Sequence, residues 1–286
     1  MRQDFSTFSE PIDASSLNSV PSHEFSLSAN QLAAFQKDGF VVGQRSIPKE
    51  FIARLLEDLN ELLIPGHVGE DLWYEYHTNE STDPDTILFH ALGAWRLRSS
   101  FHDLLWHPAI TTPAKQLLDT SVRFWHDQLF CKPANHGGVV AWHQDYSYWT
   151  RSGPMNHLTC WIALEDATID NGCLHYIKGS NQWDLLPITG LAGGMDSIRN
   201  ELTDDQASAF DSPVPIELRA GQVVFHHPLT VHGSFENRTS RSRKATVVNL
   251  IADGVTSQTD EPLLSGVPIV PKGHKIEGQF FPLLRK

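Results

Sequence analysis

From Val122 onward the chain is written as a succession of short β-type runs, each closed by glycine, proline or asparagine: 122–131, 139–145, 158–164, 173–177, 214–218, 222–226 and 244–251. Parallel strands need a crossover of a dozen or more residues, usually a helix, between one strand and the next. Seven short runs with turn residues between them suggest a sandwich or barrel rather than a parallel sheet. The one long gap, 181–212, carries Gly193-Gly194 and a polar, helix-favouring tail, and it reads as an insertion over the mouth of the barrel.

Helices are expected ahead of the strands. Ser28 and Gln31 have capping-box spacing, and a short amphipathic helix follows them until Asp38-Gly39, after which Phe40-Val41-Val42 reads as a strand. A second helix starts near Pro48, with Ile52, Leu55, Leu56, Leu59, Leu62 and Leu63 on one face, and ends at Pro65-Gly66. A third is expected over 109–119. Residues 66–100 have mixed composition and read as a lid or binding segment, and residues 1–26, rich in Ser, Pro and Asp, as a flexible arm. No linker divides 27–286, which is expected to form a single domain, mainly β with flanking helices and a β core at about 122–251.

The chemistry concentrates in Trp142-His143-Gln144-Asp145 and, far downstream, Val231-His232-Gly233-Ser234. Residues two apart on a strand share a face, so His143 and Asp145 are expected to project together. His232, from a distant strand, would complete two histidines and one carboxylate around a metal. That set leaves neighbouring positions open and is the ligand type of non-haem iron(II) oxygenases. Arg243 follows His232 after the turn-like Glu236-Asn237-Arg238-Thr239-Ser240, which puts a guanidinium on the neighbouring strand at the same end of the barrel. Such a group suits the far carboxylate of 2-oxoglutarate, whose near end would chelate the metal, and Ser234 could donate a further hydrogen bond there.

With these motifs in place, the chain resembles the phytanoyl-CoA dioxygenase family, which includes ectoine hydroxylase. The resemblance runs through Trp142-His143-Gln144-Asp145, Leu158-Thr159-Cys160-Trp161-Ile162-Ala163-Leu164, Asp170-Asn171-Gly172-Cys173-Leu174, Lys178-Gly179-Ser180, Ala220-Gly221-Gln222-Val223-Val224-Phe225 and His232-Gly233-Ser234 with Arg243. It covers roughly 28–251. Where the family usually reads Pro-Gly-Ser-His, this chain has Lys178-Gly179-Ser180-Asn181, a departure that falls on a turn. The resemblance implies a double-stranded β-helix (jelly-roll, cupin-like) barrel with helices on one side. It also implies Fe(II), 2-oxoglutarate and O2 as the working set, and hydroxylation of an aliphatic C–H of a small molecule with release of succinate and CO2. Related halogenases have a small residue in place of the carboxylate ligand, so Asp145 favours hydroxylation. By motif position Trp161 lines the 2-oxoglutarate pocket and Gln128 contacts cosubstrate or substrate. Tyr146, Tyr148 and Trp149 fall at the family's substrate mouth.

Other residues have blander readings. Lys132 reads either as a solvated strand end or as a ligand contact, Asn171-Gly172 as a supporting turn, and His126, His136, His226 and His227 as packed or hydrogen-bonded histidines. Arg238, Arg241 and Lys244 read as solvated turn charges. The formal charge of −12 argues against nucleic acid or an anionic membrane as partner. Cys131, Cys160 and Cys173 are too few for a disulfide framework and fit buried thiols in a reducing compartment. No apolar run approaches the ~20 residues that span a bilayer, so a soluble cytoplasmic protein is expected. A cupin-type metalloenzyme that does not use 2-oxoglutarate, or a non-catalytic binding module, remains the alternative, and the oligomeric state is left open.

Overall fold

The computed structural model describes residues 3–17 and 20–286. Its strands, in chain order, are β1 (Phe40–Val42), β2 (Glu75–His77), β3 (Phe89–Leu92), β4 (Val122–Lys132), β5 (Val140–His143), β6 (Ser152–Gly153) and β7 (His157–Ala163). They continue with β8 (Leu174–Tyr176), β9 (Val214–Ile216), β10 (Val223–His226), β11 (His232–Ser234), β12 (Arg243–Ala252), β13 (Thr256–Ser257) and β14 (Leu283–Arg285). The helices are α1 (Ala29–Asp38), α2 (Lys49–Leu62), α3 (Ala94–Leu97), α4 (Ser99–Leu104), α5 (Pro108–Leu118) and α6 (Asp204–Phe210).

An eight-stranded major sheet runs β1-β10-β7-β12-β4-β3-β2, with β14 also on β4, and a four-stranded minor sheet runs β5-β11-β8-β9. Every pairing within them is antiparallel. This is the jelly-roll arrangement that the family resemblance implies, and it fits the sandwich or barrel that the spaced short strands predict. Alternation along the strands divides the core in two. On β7, Leu158, Cys160 and Ile162 pack outward against the helices, while Trp161 and Ala163 point between the sheets. The inner cluster adds Phe130, Val140, Leu174, Tyr176, Val224 and Val247. Ser28 and Gln31 form the expected capping box on α1, whose end is closed by Gly39 at φ +86°.

Three expectations change. The N-terminal arm is packed where it is described: Phe25 and Ser6 are buried, Asp4 pairs with Arg96, and the backbone N–H groups of Ile12 and Asp13 donate to Asp103. Scattered apolar residues and short capping acids hold it down despite its polar composition. The 66–100 segment is not one lid, because β2 and β3 extend the edge of the major sheet and Leu88, Phe89, Ala91, Ala94 and Trp95 are core residues. The 181–212 insertion lies along β5, where its Leu191 and Met195 carbonyls accept from the N–H groups of Ala141 and Trp142. Its Leu186, Ile198 and Phe210 join Trp142, Ile177 and Val231 in a third core cluster.

Candidate metal centre

Inward side chains of the two sheets surround a cavity of about 310 Å³. His143 ends β5, His232 begins β11, and the two are register partners across the minor sheet. Asp145 is not on the strand, as alternation predicted; β5 stops at His143 and Asp145 opens a one-turn 3-10 helix, Asp145–Tyr148. The turn nevertheless carries the carboxylate to the histidines. Its Oδ1 lies 3.5 Å from His143 Nε2 and 3.8 Å from His232 Nε2, and one donor atom from each of the three residues falls within 4.8 Å of the others. Metal–ligand bonds of about 2.1 Å at 90–120° put donors roughly 3.0–3.6 Å apart, so the spacing is close to that of a facial set.

Hydrogen bonds fix which atoms are free to bind. His143 Nδ1 lies 2.8 Å from the Ala141 carbonyl and His232 Nδ1 2.9 Å from that of Thr230. A carbonyl only accepts, so each Nδ1 carries the proton and each Nε2 presents its lone pair inward. Asp145 Oδ2 is held from behind, by the Thr159 hydroxyl at 2.5 Å and His226 Nε2 at 2.9 Å. The Tyr176 hydroxyl in turn donates to His226 Nδ1 at 2.9 Å. Oδ1 is thereby left for a metal. Burial alone would raise the Asp145 pKa, but the imidazoles of His232, His143 and His226 outweigh it and hold the carboxyl well below its usual range. Burial, then His226 and His143, keep His232 unprotonated. Two neutral imidazoles and one carboxylate make a monoanionic, mixed nitrogen–oxygen donor set that fits a divalent ion such as Fe(II).

Arg243 begins β12 and is 1% exposed. Its Nη1 and Nη2 make only long contacts of 3.4 Å, to the Phe130 carbonyl and the Ser234 hydroxyl, and its Nε has no partner. The Trp161 ring lies 5.5 Å from the guanidinium carbon. Burial lowers the Arg243 pKa to about 10, which leaves the group charged at neutral pH. A buried, under-bonded guanidinium is costly unless an anion satisfies it. Arg243, Ser234, Trp161 and Gln128 all line the cavity, and Gln128 accepts from Asn249 Nδ2.

At the other end, Tyr148 and Trp149 line the cavity, and Tyr146 does not. Its hydroxyl donates to the Ser152 carbonyl and its ring packs on His157, because the 3-10 turn rotates it away from the metal side. Lys132 is fully buried, not a solvated strand end, and it does not line the cavity as a ligand contact would. His226 is hydrogen-bonded as expected, though its partner is the metal-site carboxylate. Thr159 was overlooked although it shares Trp161's phase on β7. Trp125, His126, Leu263, Leu264 and Arg151 also line the cavity. Arg151 donates to the Pro262 and Leu263 carbonyls, so a stretch beyond the barrel forms part of the wall.

Comparison with known proteins agrees with this geometry. The family model for phytanoyl-CoA dioxygenase (PhyH) matches residues 35–245. This chain belongs to that family. A phytanoyl-CoA dioxygenase of Arabidopsis thaliana is 36% identical over 128 residues, 41% of this chain and 41% of the relative, so the chain spans about two fifths of that protein's length. Phytanoyl-CoA dioxygenase domain-containing protein 1 of Mus musculus is 24% identical over 288 residues, covering 86% of this chain and 97% of the relative. Among solved structures, the epimerase SnoN in complex with Fe3+, alpha ketoglutarate and nogalamycin RO superposes with a TM-score of 0.73 at 21% identity over 90% of this chain and 98% of that one. The family-model match ends at residue 245, ahead of Leu263 and Leu264 in the cavity wall.

Proposed function

We propose that the protein is an Fe(II)- and 2-oxoglutarate-dependent dioxygenase that hydroxylates an aliphatic C–H bond of a small molecule, releasing succinate and CO2. One observation carries the reading: three inward donor atoms on one side of a cavity share it with a buried guanidinium that has only two long contacts and an unpartnered Nε. His143, Asp145 and His232 would hold the iron, and Arg243 with Ser234 would grip the far carboxylate of 2-oxoglutarate. When bound, the pair supplies the oxidising power for C–H cleavage.

The chain's own residues orient and shield. Thr159, His226 and Tyr176 hold Asp145 in place, Trp161 covers the guanidinium, and Phe130, Val140, Leu174 and Val247 form apolar walls around the pocket. Asp145 favours hydroxylation, since a carboxylate ligand occupies the position that a halide would need.

The substrate half of the cavity is aromatic and apolar, with Trp125, Tyr148, Trp149, Leu92, Leu263 and Leu264. The Trp125 indole N–H and the Tyr148 hydroxyl there are buried without hydrogen-bond partners, which suits a substrate carrying an oxygen acceptor. Its charged side chains are Glu75 and Arg151, and Arg151 is engaged by two carbonyls. That is poor provision for the phosphates of a coenzyme A thioester, so a free small molecule is favoured. The test is succinate formation from 2-oxoglutarate in the presence of a metabolite extract. It should require Fe(II), yield a product heavier by one oxygen atom, and vanish in His143→Ala. Substrate-dependent succinate at the wild-type rate in that variant would refute the assignment.

A further inference from the structure

Lys132 ends β4 directly opposite Arg243 on β12. It is 0% exposed, and its Nζ donates to the carbonyls of Ser234 at 3.1 Å and Phe235 at 2.5 Å. Side chains of register partners lie on the same face about 5 Å apart at Cβ, so two buried basic groups stand side by side, and burial, then Arg243, pull the Lys132 ammonium well below its ordinary pKa. Among the described residues neither takes part in an ion pair; the charged neighbours on Lys132 are Arg243 and, with opposite sign, Glu236, with the Cys173 thiol also close. The surroundings are shaped for the ammonium. Gly172 has φ +83°, and a Cβ there would fall 2.4 Å from the Phe235 carbonyl oxygen and 3.3 Å from Nζ.

Burying two basic groups side by side with only Glu236 opposing them, and no ion pair among the described residues, is unfavourable, and β4 could have ended in an apolar residue. Lys132 does not line the cavity, so it does not itself grip a ligand there. It reaches the site through Ser234, whose hydroxyl meets Arg243 and whose strand begins with His232.

We propose that Lys132 is a positioning residue for the dianionic cosubstrate: it fixes the end of β11 that carries Ser234, and the positive charge it holds when a carboxylate sits beside Arg243 selects for a ligand with a second carboxylate. The inference rests on the 2-oxoglutarate reading above and deepens it. A structural tie alone would serve any 2-oxo acid equally, whereas a charge acts on the far carboxylate.

The test compares 2-oxoglutarate with 2-oxopentanoate, which keeps the chelating end and lacks the far carboxylate. Both are titrated calorimetrically into the Mn(II)-loaded protein without oxygen. Wild type is expected to bind 2-oxoglutarate far more tightly. In Lys132→Met the 2-oxoglutarate affinity should fall tenfold to about a hundredfold, the scale of one charge acting through a partly buried medium, with 2-oxopentanoate changing less than about threefold. Lys132→Gln, which keeps a donor for the carbonyls without the charge, should show the same selective loss and covers the case in which the Met variant does not fold. An equal loss for both ligands, or no loss for either, in a folded variant overturns the inference. Failure of wild type to bind 2-oxoglutarate would instead bring down the cosubstrate reading, and this inference with it.

Discussion

Replacing Arg243 by methionine should move affinity and stability in opposite directions. The guanidinium is 1% exposed, with two contacts of 3.4 Å and an unpartnered Nε. In the ligand-free protein it therefore contributes little bonding to offset its desolvation. Methionine would lose the cation–π contact with Trp161, about 1–2 kcal/mol, and would relieve a desolvation penalty of at least that size. The melting temperature of the ligand-free variant should be unchanged or higher. A bound carboxylate would lose two charged hydrogen bonds, each worth about 1.5–3 kcal/mol, so the 2-oxoglutarate KM should rise by about 10²–10⁴-fold. Thermal denaturation with and without 2-oxoglutarate reads both effects, because the ligand-induced rise in Tm should disappear at concentrations that saturate wild type. A variant that is several degrees less stable yet keeps a KM within fivefold of wild type would show that Arg243 is a structural residue.

Further outcomes follow from the same contacts. Thr159→Val removes the 2.5 Å bond to Asp145 Oδ2 and should weaken Fe(II) binding by roughly 10–100-fold, read by anaerobic calorimetry; unchanged affinity would mean that His226 alone suffices. Asp127 accepts the backbone N–H groups of Gly93 and Trp95, so Asp127→Ala should cost about 2–4 kcal/mol in urea denaturation, and Asp127→Asn about half of that. Burial depresses His107 and His126 to about 4 and His157 to about 3. The unfolded chain thus takes up protons first as pH falls below 6.5, and stability present above that pH is lost between about 6.5 and 4. Burial also raises Asp127 to about 7, which opposes this by one proton. Burial holds His227 at about 4 as well, so the net of about three protons (four histidines less Asp127) gives roughly 4 kcal/mol per pH unit near pH 5 for the metal-free protein. A flat urea midpoint from pH 7 to 5 would contradict it.

Much of this was legible because alternation and turn chemistry are local. The strand runs on β4, β7, β8, β10 and β12 fall within a few residues of their observed bounds, and the Ser28 cap is where its spacing puts it. The ligands were legible for a different reason, since His-x-Asp and a distant His-Gly-Ser with Arg243 form an ordered series that chance seldom produces. The carboxylate came to the right place by a wrong route: a 3-10 turn, fixed by the Tyr146 N–H to Pro228 bond, replaces the expected strand. Long-range contacts account for the rest. Nothing near Lys132 in the sequence reveals that the Ser234 and Phe235 carbonyls will close over its ammonium, and the polarity of residues 3–17 conceals that Asp103 and Arg96 will bind them. Thr159 and His226 were within reach, because both follow the inward phase of their strands.

The central claim is that His143, Asp145 and His232 hold a metal to which 2-oxoglutarate binds with its far end on Arg243. Anaerobic titration of 2-oxoglutarate into the Fe(II)-loaded protein, followed by visible charge-transfer absorption, tests it most directly. A band that saturates at one equivalent per chain, is absent in Asp145→Ala, and needs far higher 2-oxoglutarate in Arg243→Met is the expected result. Wild-type protein that binds Fe(II) elsewhere, or shows the same band when Asp145 is replaced, would contradict the claim.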